Sequence, residues 1–137
     1  MTLTQHLQVV GVLMFALFLL NFAVWKHYQW GEEIKRLTLL TRQVFIVHSF
    51  FIMLSILAFG VVSLMYPQAL LEPSLLGRLV LAFLTMFWGC RFLMQQFVYD
   101  RALWRGKRFE TFIHMTFSGV WLYFTIVYAA ALARQWA

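Results

Sequence analysis

Cysteine occurs once in the 137 residues, at Cys90, which excludes an intramolecular disulfide and any multi-cysteine metal site. Charge is scarce as well: Asp, Glu, Lys and Arg make up 12 % of the chain, where roughly a quarter is usual in a soluble domain. Also missing are a phosphate-binding glycine loop, an HExxH pair, a Gly-x-Ser-x-Gly elbow and a carboxylate pair spaced for acid and base work. No enzyme class announces itself. The opening MTLTQHLQ carries no positive n-region and no cleavage site follows it, so the first apolar run is expected to remain as a span.

What is present is apolar: 63 % of residues are hydrophobic, gathered into four runs near 7–25, 43–66, 79–99 and 110–133. Each is about the 20 residues that a helix needs to cross a bilayer. The expected fold is therefore an all-α membrane protein, a four-helix transmembrane antiparallel bundle forming one membrane domain over 1–137. The formal charge of +6 does not point to nucleic acid, because the basic residues fall between the apolar runs instead of forming a patch. Lys26, Lys35, Arg36 and Arg42 lie between the first two runs, and Arg101, Arg105, Lys107 and Arg108 between the last two; only Arg78 and Arg134 fall on the other side. The positive-inside rule makes both basic loops cytoplasmic and both termini extracytoplasmic, as expected of a bacterial inner-membrane protein.

Local signals fill in the elements. Trp25, Tyr28 and Trp30 suit one interface, and Trp104 sits at the same level beside Gly106, the expected turn residue. His6 and His27 fall outside the apolar cores and are expected to be wet. Glu32 is spaced to pair with Arg36, and a helix starting near Gly31, if it ran unbroken to Tyr66, would be about 50 Å long and would protrude or lie partly along the interface as an amphipathic foot. Pro67 ends that span. Thr41, His48 and Ser55 recur every seven residues and are expected to face inward. Gly11, Gly60, Gly89 and Gly119 would allow close approach to another copy or to a larger complex.

The chemistry-bearing residues gather toward the basic ends. His48 and His114 each follow an arginine, Arg42 and Arg108, by six residues, which puts each imidazole about 9 Å along its helix and inside the apolar layer. Trp88, Arg91 and Gln95 share one face of the third helix, and Glu110 and His114 share one face of the fourth with Ser118 and Thr125. Three chemistries fit these types. One is a haem with His48 and His114 as axial ligands and Arg42, Arg91 or Arg108 near its propionates or, without haem, near an anionic lipid headgroup. A second is a metal held by His48, Glu110 and His114. A third is a lipid or quinone pocket in which histidine, arginine and Gln95 meet the polar head while Phe45, Phe51, Phe112 and Phe117 enclose the rest. Against these stands a plainer expectation: the histidines pack helices together, and the chain is an accessory or assembly subunit without catalysis of its own, surrounded by lipid and by copies of itself or a larger membrane complex.

Overall fold

In a computed structural model describing residues 1–137, the chain is entirely helical, with no strand. Six α-helices follow one another: α1 (Leu3–His27), α2 (Trp30–Ile34), α3 (Leu39–Met65), α4 (Pro67–Leu71), α5 (Leu75–Phe97) and α6 (Arg108–Arg134). Four of them, α1, α3, α5 and α6, are long and apolar enough to cross a membrane, as an integral membrane protein requires.

Helix boundaries follow from side-chain chemistry. Lys26 and His27 occupy the last turn of α1, where positive charge suits exposed carbonyls, and Gln29 takes a left-handed backbone (φ 52°) that turns the chain away. At α3 the Thr38 hydroxyl accepts from the Thr41 N–H at 3.4 Å, and at α5 the Ser74 hydroxyl accepts from Gly77 N–H at 3.0 Å. Pro67 sits in the first turn of α4, where its missing N–H costs nothing. Gly106 turns the last loop with φ 79°, and Asp100 caps the short 3-10 turn Arg101–Leu103 within it.

A helix unbroken from Gly31 to Tyr66 does not form. Arg36 and Leu37 bond back only three residues, to Glu33 and Ile34, and Thr38 is extended (ψ 154°), so α2 and α3 are separate. Thr38 competes for the N–H groups that a continuous helix would use itself. Glu32 pairs with Lys35 at 2.8 Å, three residues on, instead of with Arg36. Both ends of that pair are mostly exposed, so it adds little stability.

The chain packs as two units, residues 8–67 and residues 1–7 with 68–137. In the first, α1 and α3 touch through glycine. A Cβ on Gly11 would lie 2.6 Å from the Leu64 Cβ and 2.9 Å from the Gly60 carbonyl, and one on Gly60 would lie 3.1 Å from the Met14 Cβ. Gly11 and Gly60 thus serve packing inside this chain; Gly119 has open space around it. The inward face of α3 is Ile56, Gly60 and Ser63. Thr41 and His48 are exposed and Ser55 is only half-buried, which corrects the expectation that their stripe points inward. A helix apolar on all sides has no hydrophobic preference among faces, and the glycine that admits the closest neighbour decides.

In the second unit α5 and α6 form an antiparallel hairpin: Gly77 lies against Gln135, Gly89 against Thr125, and Gln95 against His114. Its core is Leu81, Leu84 and Trp88 from α5 with Trp121, Phe124, Val127, Tyr128 and Ala131 from α6. Gln135 ties the far end, donating to the Leu70 carbonyl at 2.5 Å. His6 is also recruited here, its Nδ1 2.8 Å from the Tyr123 hydroxyl, so it is not simply wet; a phenol in reach gives the ring a partner that its own neighbours could not reveal.

Candidate functional site

The polar side chains of the hairpin meet near its loop end, and they do so because of spacing. On α5, Leu84, Trp88, Arg91 and Gln95 advance by four, three and four residues, which keeps them on one stripe; on α6, His114, Ser118 and Trp121 do the same. Antiparallel pairing then sets Trp88 against Trp121, their rings stacked at 5.1 Å and 14°, and Gln95 against His114.

A directed relay results. Arg91 Nη1 donates to Gln95 Oε1 at 3.2 Å, and Gln95 Nε2 lies 3.0 Å from His114 Nδ1. Guanidinium has donors only, so the Gln95 oxygen faces Arg91 and its amide nitrogen donates to His114. His114 Nδ1 is therefore the acceptor, and in the neutral ring the proton resides on Nε2. One face of the imidazole is covered by Trp104, stacked at 4.5 Å and 9°. Beside the relay Gln96 Nε2 donates to Ser118 Oγ at 2.7 Å, and Ser118 Oγ donates to the His114 carbonyl at 2.8 Å. Thr111 Oγ1 donates to the Trp104 carbonyl at 2.6 Å, fastening the loop to α6.

Aromatic rings wall this cluster. The Arg91 guanidinium lies 5.0 Å from the Trp121 ring and 5.7 Å from the Tyr99 ring, and Phe117 continues the stack on Trp121 at 5.6 Å. The indole N–H groups of Trp88, Trp104 and Trp121 are buried without an acceptor. Each such donor costs about 1–3 kcal/mol, so ring stacking and burial outweigh hydrogen bonding in placing them.

The two histidines of matching sequence depth are unlike. His114 is 6 % exposed and enclosed by α5, α6 and the loop, whereas His48 is exposed on α3. His48 Nδ1 lies 2.8 Å from the carbonyl of Val44, its own helix, so Nδ1 donates and in the neutral ring Nε2 keeps a lone pair. That is the form in which a histidine ligates a metal, with its other nitrogen held by a carbonyl. His114 has the opposite polarity. To bind iron through Nε2 it would need a proton on Nδ1, which would require Gln95 to turn its NH₂ toward the Arg91 guanidinium, donor against donor.

The remaining candidates belong to both units. Arg42 is half-buried in the first turn of α3, Arg108 is exposed at the start of α6, and Glu110 is half-buried one turn before His114. No three His, Cys, Asp or Glu side chains come together as a metal-binding group, which leaves the His48, Glu110 and His114 set without support. Of the four phenylalanines proposed to enclose a lipid or quinone, Phe117 joins the aromatic stack, Phe112 faces outward, and Phe45 and Phe51 are exposed on α3, where Phe45 packs on Trp25 and Trp30. Trp104, Trp121 and Tyr99 were not singled out by the sequence as site residues. The signal that could have found them is the hairpin register fixed by the Gly106 turn. Comparison with family models, with characterised proteins and with solved structures brings no match to this chain.

Proposed function

We propose that this protein is a non-catalytic subunit of a larger assembly in a bacterial inner membrane, inserted with its basic loops in the cytoplasm. The observation that carries the reading is His48: an exposed imidazole, its Nδ1 held by the Val44 carbonyl, on a helix whose exposed surface is mostly Leu, Val, Ile and Phe, with Thr41 and Gln43 near its start. Ionisable groups in spans face protein or a wet cavity far more often than lipid tails, so the His48 face of α3 suits a protein neighbour, which this reading takes from the assembly. That neighbour supplies a hydrogen-bond donor. In a two-fold contact of α3 with itself, His48 away from the symmetry axis would meet other donors of the helix, the exposed Gln43 amide among them. A second copy or a different chain of the assembly supplies that donor in this reading. The Arg91–Gln95–His114 relay serves in this reading as a brace that holds the α5–α6 hairpin in register.

Native electrophoresis of gently solubilised membranes tests this directly. Wild type is expected well above monomer size, His48→Leu at monomer size with its helical signal intact, and His48→Gln, which keeps an acceptor, near wild type. Wild type that migrates as a monomer in lipid-preserving detergent defeats the reading. The same preparation gives the absorption spectrum after dithionite: a reduced haem band lost in both His48→Ala and His114→Ala would replace the subunit by a redox protein.

A further inference from the structure

Arg91 is a cation whose contacts bring it no negative charge. Its guanidinium meets the neutral Gln95 amide and the faces of Trp121 and Tyr99, and one of its five N–H donors is used. The guanidinium lies between the Trp121 ring, whose partner Trp88 is one turn before Arg91, and the Tyr99 ring, eight residues beyond it at the loop end of α5. The loop and the first residue of α6 add Arg101, Arg105, Lys107 and Arg108, all exposed, against two carboxylates, half-buried Glu110 in the first turn of α6 and Asp100, whose Oδ1 accepts from the Ala102 N–H at 2.8 Å. On the Arg91 face of α5, Met94 and Val98 are exposed. A guanidinium with spare donors, aromatic walls, a basic rim and adjoining apolar surface matches one abundant ligand at a bilayer interface, a phosphodiester with acyl chains attached.

We propose that the loop end of the α5–α6 hairpin is a binding site for anionic phospholipid, with the phosphate held by Arg91 between Tyr99 and Trp121 and the headgroup steadied by the basic loop. Gln95 is a positioning residue here, since it fixes one edge of the guanidinium and leaves the other edge for the lipid. The site requires no partner protein and stands whether or not α3 has one.

The test uses full-length protein, delipidated in a neutral detergent, and fluorescent phosphatidylglycerol and phosphatidylcholine as probes. Wild type is expected to bind phosphatidylglycerol about tenfold or more tightly than phosphatidylcholine, and Arg91→Gln to lose that preference while Arg134→Gln keeps it. A wild type without preference overturns the proposal, and so does a preference that survives in Arg91→Gln. Inorganic phosphate is expected not to compete; competition equal to that of the lipid would make the ligand a soluble anion and overturn it too. Should Arg91→Gln fail to fold, Arg91→Lys keeps the charge and loses the planar fork, and is expected to weaken phosphatidylglycerol by about threefold. Unchanged binding in that variant counts against the site.

Discussion

Gln95 decides what His114 is able to do, because a glutamine between a guanidinium and an imidazole has only one orientation that satisfies both. Replacing it with leucine removes two hydrogen bonds and leaves a buried ring nitrogen without a donor, so Gln95→Leu is expected to cost about 1–3 kcal/mol, measured by denaturant titration in detergent. Gln95→Glu has a different outcome. A carboxylate accepts from both sides, so the proton is expected to move to His114 Nδ1, and nitrogen NMR of labelled histidine should show the ring switch tautomer. The shared face of Trp88, Arg91 and Gln95 was legible in the sequence, as was the stripe of His114 and Ser118. Their pairing across the hairpin was not, since a helical repeat tells which residues share a face and not which neighbour meets it. The repeat of spacing around His48 and His114 does not extend to their surroundings: one is boxed in by Trp104 and Gln95, the other is exposed and bonds to the Val44 carbonyl of its own helix.

At the level of whole helices, the contact of α1 with α3 depends on the absence of side chains. Backbone atoms of Leu64 and Gly60 lie 2.8 and 2.9 Å from where a Gly11 methyl would be, and backbone does not yield as a flexible side chain would. Gly11→Ala is expected to destabilise residues 8–67 by about 1–3 kcal/mol, whereas Gly119→Ala, with open space, is expected to be neutral; thermal unfolding in detergent compares them. Four helices of spanning length, the stop at Pro67 and the turn at Gly106 were all legible, because length, proline and glycine act locally. The break between α2 and α3 was harder, since it rests on the backbone of a single threonine, Thr38. The inward face of α3 was beyond reach for a related reason. Its heptad of Thr41, His48 and Ser55 was polar enough to attract notice, yet the small Gly60 set the contact.

Across the molecule, the distribution of Lys and Arg carries the orientation proposed for the membrane. With Cys90 replaced by alanine, a single cysteine placed at Arg105 is expected to resist an impermeant maleimide in intact cells, and one placed at Trp136 to react; the reverse pattern would invert the topology. One contact has a bearing on how such a protein is made. His6 and Tyr123 are 117 residues apart in sequence, yet they share a hydrogen bond in the unit that joins 1–7 to 68–137. At roughly 5–20 residues per second, a ribosome needs on the order of 6–25 s to travel from one to the other. Throughout that interval the start of α1 is already synthesised and has no Tyr123 to meet. The contact that fastens the start of α1 to the α5–α6 hairpin therefore cannot form until α6 has been synthesised.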